Sequence, residues 1–474
     1  MKYTIAEICR ITGAEAEGLH PGTDIDGWSI DSRTVQPGDI YFSIVGENHD
    51  GHRFAPESLR KGASAVVVRR DFSLPNEKNG GLLRCDDPLE TLHTLASHSR
   101  DEKGLRLVGI TGSCGKTTTK DITAAMLGSS LNTGKNKGNL NNIWGLPLGM
   151  LRRPPGLDIY VCEMGMSYAG ELRRVTSIAR PEVAVFTNIH GVHLMNFKSM
   201  REIAEAKAEM LEGVPPGGVV VANADDPEVM RIARRSGLRT ITFGVENEAD
   251  LTAAGIEDRG IDGLSFELKL EGRAPSVASP LPGLHNLQNV LAAFATCVAL
   301  GFAPEVMMNG LDNLDMSPAR TRLVRFDDGW TLYDDTYNSN PQALRLTLET
   351  IKRSNGYERH IAVLGDMLEL GAGEVEEHIK AGRLIAGMGI DHLIVVGPLA
   401  RHMAEAAIEA GMNSASILIA DDKKATLEAL DGQIRPGDLV LIKGSRGVKM
   451  ETIVEELTRR YPAAQGSGGG SKER

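Results

Sequence analysis

From about residue 105 onward, short apolar runs alternate with amphipathic segments. Residues 105–111 (LRLVGIT), 158–165 (DIYVCEMG), 181–189 (PEVAVFTNI), 217–223 (GGVVVAN) and 240–244 (TITFG) have the length and β-branched content of buried strands. Between them, residues 118–131, 170–179, 199–214 and 226–237 read as helices. In the first of these, Ile122, Ala125 and Met126 fall at helical spacing. Strands buried on both faces and separated by helices build a mostly parallel sheet. Residues 264–272 predict one added strand, and 285–301 a long helix ending at Gly301. The alternation restarts after residue 320, with strands at 330–337, 360–366, 391–397, 416–420 and 438–444 and a last helix at 448–461. The first hundred residues carry shorter elements: strands at 30–33, 38–46 and 64–70, helices at 53–62 and 88–102. The expectation is an α/β chain of three domains, 1–105, 106–316 and 317–462. The central one has a mostly parallel sheet, the last is Rossmann-like, and a flexible Gly/Ser tail follows at 463–474.

The length of 474 residues agrees with three domains at roughly 150 residues each. A net charge of −11 argues against a general nucleic-acid or anionic-membrane binder, yet leaves room for a local basic pocket. The 5 cysteines form no C-x-x-C pair, which argues against a disulfide scaffold or a thiolate zinc site. The N-terminus lacks the basic and apolar regions of a signal peptide, and no run approaches the ~18 apolar residues of a membrane span. The expectation is a cytoplasmic monomer acting on small molecules, without nucleic-acid or membrane partners.

Candidate chemistry concentrates at TGSCGKTTT (111–119), between a buried strand and a helix. This is the setting of a phosphate-binding loop. Gly112 and Gly115 let the backbone curl so that N–H groups face an anion at the helix N-terminus. Lys116 can reach the β- and γ-phosphates of a nucleotide, and the Thr117 hydroxyl can ligate Mg²⁺. Ser113, Cys114 and Thr118 complete the nucleotide-binding set. The usual pattern opens with a glycine where this chain has Ile110, so the loop is a shortened variant.

Other candidates have two readings. Glu163 ends a strand at the carboxyl rim of the sheet, where ligands of open α/β folds bind, although an isolated strand-end Glu is usually solvated. His190 and His193 form an H-x-x-H pair, but in a loop rather than on a helix. Lys207 stands among Glu205, Glu209 and Glu212, the pattern of a solvated lysine in charge pairs. Asn286 and Asn289 are one turn apart, able to bond one ligand or to cap their helix.

The loop T-G-S-x-G-K-T-T-T resembles that of the Mur ligases, the ATP-dependent amide-forming enzymes of peptidoglycan precursor synthesis. The resemblance covers nearly the whole chain. Residues 31–52 are similar to the family's nucleotide-sugar signature and 136–151 to a substrate-contacting segment. Blocks at 187–194, 203–211, 281–293 and 442–451 also match. DDTYNSNP (334–341) and VLGDMLELG (363–371) resemble the branch that adds D-alanyl-D-alanine to UDP-N-acetylmuramoyl-tripeptide. The alternative is a Mur-type ligase adding a single amino acid. Cys114, Lys198 and the pair Pro318–Ala319 depart from the usual residues.

The resemblance implies a carboxylate activated by ATP as an acyl phosphate and then attacked by the dipeptide amine. It assigns Ser32, Arg33, Asp50 and His52 to the UDP end, and Asn139 and Asn142 to substrate. Asn286 and Asn289 go to adenine, Asp335 to ribose and Arg320 to phosphate. Thr117 and Glu163 hold one Mg²⁺. His193 and a carbamylated Lys207 hold a second, with His190 lining the site, so that Lys116, Lys207 and His193 carry catalysis. Tyr337, Asn338 and Asn340 shape the dipeptide site, and Lys443, Ser445 and Arg446 close over the phosphates or the dipeptide.

Overall fold

A computed structural model describes residues 1–46, 49–74, 81–101, 104–138, 140–191, 196–317 and 319–464. Three main sheets follow one another along the chain. The first runs in the order Glu15–Glu17, Leu82–Cys85, Ala65–Arg69, Asp39–Phe42, Gly27–Ser29, and only its Glu15–Glu17 edge is antiparallel. The third is parallel through Thr331–Asp335, Asp438–Lys443, Arg359–Gly365, His392–Val396 and Ile417–Ala420, with Arg322–Arg325 antiparallel at one edge.

The nine-stranded central sheet positions the site. Its strand Arg106–Thr111 lies between Ile159–Glu163 and Val183–Phe186, all parallel. The loops leaving these three strands therefore meet at one carboxyl edge. One face of this sheet carries helices Lys116–Gly128 and Leu284–Ala299, packed through Ile122, Met126, Leu287, Val290 and Leu291. The other face shares a continuous core with the first sheet, built from Ile40, Phe42, Val67, Leu92, Leu146 and Met150.

The expected β–α alternation is present, with local differences, and the first sheet also contains strands such as Gly27–Ser29 and Leu82–Cys85 that were not expected. Residues 30–33 are not a strand. Pairing stops at Ser29, and Asp31 Oδ1 accepts the Arg33 N–H at 2.9 Å, closing an Asx-type turn. The helix expected from 118 starts at Lys116, directly after the loop. The single strand expected at 264–272 is the middle of three, because Leu251–Asp258 and Ser276–Ser279 flank it antiparallel. Leu251–Asp258 is small and polar, with only Leu251 buried, so it lacks an apolar signature. The polar edge strand Arg322–Arg325 was equally silent; Ala464 N–H bonds to Arg325 O there at 2.8 Å. Residues 465–474 lie outside the described part.

Candidate functional site

The phosphate loop begins where strand Arg106–Thr111 ends. Gly112 and Gly115 have φ of 152° and 80°. A Cβ at Gly112 would collide with Thr187 Oγ1, and one at Gly115 with Asn289 Oδ1, so glycine is required at both for close approach. Gly115 is the N-cap of helix Lys116–Gly128. It offers no side chain to the first-turn amides, and the first turn has no acidic residue. Uncapped N–H groups and the positive end of the dipole make this an anion site. Lys116 Nζ folds onto the loop's own carbonyls, Gly112 O at 2.9 Å and Ser113 O at 3.2 Å.

The neighbouring strand loops fix this geometry. Ser113 N–H donates to Asn188 O at 2.9 Å and Cys114 N–H to Asn188 Oδ1 at 2.8 Å. Thr187 Oγ1 donates to Cys114 O at 2.6 Å, and Ser113 Oγ to His190 O at 3.0 Å. Thus His190 meets the loop through its backbone. His193 lies outside the described residues, as does Asn139.

Thr117 Oγ1 donates to Glu163 Oε2 at 2.5 Å, and both residues are buried. Glu163 is not a solvated strand end. Asn141 Nδ2 holds its Oε1 at 2.8 Å, and Asn136 Oδ1 accepts its backbone N–H at 2.9 Å. Asn136 Nδ2 also donates to Glu163 O at 3.2 Å, so this amide continues the ladder after strand Thr133–Lys135 stops. The sequence reading missed Asn136 and Asn141. The clustered asparagines of NKGNLNN were the signal, but they were read as substrate contacts. Asn142 instead caps a turn, with its Oδ1 accepting from Trp144 and Gly145 N–H.

Lys207 is the clearest departure from the reading by spacing. It is 3% exposed, and its Nζ donates to Gly112 O at 3.0 Å, the carbonyl that Lys116 also uses. Burial, reinforced by the Lys116 charge, pushes its amine well below the usual lysine range. A buried amine of lowered basicity beside the phosphate loop is not the solvated cation that its glutamate neighbours imply.

Asn289 meets the start of the loop helix: Thr119 Oγ1 donates to its Oδ1 at 3.2 Å, and its Nδ2 donates to Asn286 Oδ1 at 2.9 Å. Asn286 Nδ2 returns to Pro282 O at 2.7 Å, close to the helix start. In the third sheet, Asp335 Oδ2 is ion-paired with Lys443 Nζ at 2.5 Å, and Lys443 also donates to Asn338 O at 3.0 Å. Asp334 is spent on Thr336, and burial raises its carboxyl. Tyr337 lies between two guanidiniums, Arg320 at 3.7 Å and Arg446 at 5.4 Å from its ring centre. Asn340 caps helix Pro341–Lys352, and Ser445 ties Leu368 to Ser339. In the first sheet, His52 spends Nδ1 on Asp50 at 2.7 Å and Nε2 on the Arg69 N–H at 3.1 Å. Arg33 pairs with Asp31 at 2.7 Å, and Ser32 O accepts Lys61 Nζ at 2.8 Å.

Family models place this architecture. The Mur ligase family catalytic domain matches residues 24–100, the Mur ligase middle domain 110–297, and the Mur ligase glutamate ligase domain 319–446. The UDP-N-acetylmuramoyl-tripeptide–D-alanyl-D-alanine ligase of Bacillus subtilis is 34% identical over 96% of this chain and 98% of its own length. The chain belongs to the Mur ligase family. A crystal structure of MurF from Acinetobacter baumannii superposes with a TM-score of 0.87 at 28% identity, covering 97% of this chain and 99% of that one. MurF from Thermotoga maritima, solved in complex with ADP, gives a TM-score of 0.77 at 30% identity over 92% of this chain and 98% of that one. The Mur ligase domains thus carry the loop, Glu163 and Lys207 in the middle segment and Asp335, Tyr337 and Lys443 in the last. Among the described residues, no helix is long and apolar enough to cross a membrane.

Proposed function

We propose that this Mur ligase is an ATP-dependent amide ligase that adds D-alanyl-D-alanine to UDP-N-acetylmuramoyl-tripeptide, forming the pentapeptide precursor. The carrying observation is the convergence of an uncapped helix start, the Thr117–Glu163 pair and the buried Lys207 amine around Gly112. The relatives of near-equal length supply the substrate class.

In this reading residues 1–105 hold the UDP end, 106–316 bind ATP, and 317–462 bring the dipeptide to it. The loop amides and Lys116 bind the phosphates, Lys116 leaving Gly112 O and Ser113 O to do so. Mg²⁺ fits the donor set, since Thr117 and Glu163 offer hard oxygens side by side and magnesium needs few protein ligands beyond phosphate and water. When bound, the ion neutralises charge on the transferred phosphoryl group. The tripeptide carboxylate attacks the γ-phosphorus and ADP leaves. The dipeptide amine then attacks the acyl carbon, and phosphate departs from the tetrahedral intermediate. The protein's work is alignment and charge stabilisation.

The low basicity of Lys207 supports its carbamylation by CO₂, which needs a neutral amine. Asn289 and Asn286 serve the adenine end, Asp335 the ribose and Arg320 the phosphates. Ser32, Arg33, Asp50 and His52 face the UDP group, and Tyr337, Asn338, Lys443 and Arg446 the dipeptide. We read the enzyme as a cytoplasmic monomer, the location being that of a pool of nucleotide-linked substrates. Incubation with ATP, Mg²⁺, UDP-N-acetylmuramoyl-tripeptide and D-alanyl-D-alanine is expected to release phosphate and form pentapeptide. Turnover with a free amino acid but not with the dipeptide would overturn the assignment.

A further inference from the structure

Two buried charges behind the phosphate loop have no task in this reaction. Lys120 and Asp121 lie on helix Lys116–Gly128 and are fully buried. Asp121 Oδ1 stands 3.0 Å from Lys135 Nζ and 3.5 Å from Lys120 Nζ. Charges removed from water are costly unless paired and hydrogen-bonded, so the remaining bonds of the cluster matter. Lys120 Nζ donates to Asn136 O at 3.0 Å, and Asn136 brackets Glu163. Asp121 Oδ2 accepts the Ser317 N–H at 2.8 Å, and Lys135 Nζ donates to Asp315 O at 2.5 Å. Asp315 and Ser317 belong to the segment leading from the central sheet into the last one.

Arg320 follows three residues later. Its neighbours Ala319 and Thr321 have φ of 62° and 48°, a left-handed region that non-glycine residues occupy only under strain. The Arg320 guanidinium rests on Tyr337, while its Nε is buried and has no hydrogen-bond partner among the described residues. Such strain persists only where the surroundings over-determine it. Downstream, the Tyr337 N–H holds Ala319 O at 2.9 Å; upstream, Asp121 holds Ser317. Thr117 and Asp121 are four residues apart on one helix face, so the hydroxyl beside Glu163 and the carboxylate gripping the linker sit one turn from each other.

We propose that Asp121 is a positioning residue for Arg320: the Lys120–Asp121–Lys135 cluster fixes the root of the linker to the phosphate-loop helix and so sets where the Arg320 guanidinium meets the nucleotide phosphates. This rests on the reading of Arg320 as a phosphate contact. Asp121 itself touches no reacting atom.

A double-mutant cycle on the full chain separates the two ideas. Asp121→Asn is expected to lower kcat by about tenfold or more with the KM for UDP-tripeptide unchanged. In an Arg320→Ala background it should add less than about twofold, because residues acting through one another are not additive. Lys135→Met, which keeps the aliphatic stem and loses the Asp315 contact, provides a second arm should Asp121→Asn fold poorly. It should show the same non-additivity. Full additivity of either variant with Arg320→Ala overturns the positioning role. Wild-type turnover of Arg320→Ala alone overturns the phosphate reading of Arg320, and the positioning proposal falls with it.

Discussion

Lys207 shows how far a residue's surroundings can reverse what its sequence neighbours suggest. Three glutamates around it imply solvated charge pairs, but Glu205 pairs with arginines, Glu209 accepts the Gly170 N–H, and Lys207 points inward to Gly112. Its depressed pKa leaves a neutral amine available at lower pH than for a free lysine. Lys207→Arg keeps a cation that cannot form a carbamate. Turnover should fall about a hundredfold or more, as when phosphoryl transfer loses a charge-stabilising group. With ¹³C-bicarbonate, the wild type should give a carbamate carbon resonance that the variant lacks. Near-normal turnover of Lys207→Arg would mean that the amine only fills space. Cys114 makes a second residue-level case. Burial raises the thiols of Cys9, Cys85, Cys162 and Cys297, and slows their reaction, whereas Cys114 is half-buried in the phosphate loop. Brief alkylation followed by peptide mapping should label Cys114 first, and saturating Mg-ATP should protect it. Labelling indifferent to ATP would place the sulfur away from the phosphates.

At the scale of elements, the unit that matters is strand, loop and helix from Arg106 to Gly128. Its left-handed Gly115 lies against Asn289 from the distant helix Leu284–Ala299, so the loop is shaped by tertiary packing as well as by its own glycines. Gly115→Ala is expected to raise the Kd for ATP at least about tenfold, because the added Cβ must displace the Asn289 amide and strain the backbone. Isothermal titration with a non-hydrolysable ATP analogue measures this, and an unchanged Kd would refute the close approach. This unit was legible in the sequence because its strand is apolar and its loop has glycines at fixed spacing. Leu251–Asp258 was not, since a strand can hold its place by ladder hydrogen bonds without an apolar stripe. The carboxylate–hydroxyl pair could be guessed from Glu163 at a strand end, but its support could not. Asn136 acts as a substitute strand residue, a role that only the end of pairing at Lys135 creates. Conversely, His52, Asn142 and Asn340 show how polar residues flagged for ligands also serve turns and caps.

On the scale of the whole molecule, the last sheet meets the central one at the linker root, where Asp121 holds Ser317, and at a joint formed by the tip between Leu251–Asp258 and Leu264–Leu270. There Ile261 is fully buried in the core of the last sheet with Tyr333, Leu344 and Leu348, and its N–H donates to Ser354 Oγ at 3.0 Å. Asp258 pairs with Arg353 at 3.2 Å and Asp262 with Arg325 at 2.8 Å. His285 belongs to this joint electrostatically. Its pKa is lowered to about 4, chiefly by burial and in part by the Lys443 charge, against the opposing pull of Asp335 and Asp258. In the unfolded chain the imidazole titrates near 6.5. Between pH 6.5 and 4 the unfolded chain therefore binds a proton that the folded one excludes, and stability rises with pH across that window. Acidification through the window should lower the unfolding midpoint. His285→Gln removes the titration and should flatten the profile by at most about 1.4 kcal/mol per pH unit, the slope of one proton. Chemical denaturation of both proteins at several pH values from 4 to 7 measures the difference. Parallel profiles would show that His285 is protonated equally in both states, and that the joint does not exclude the charge.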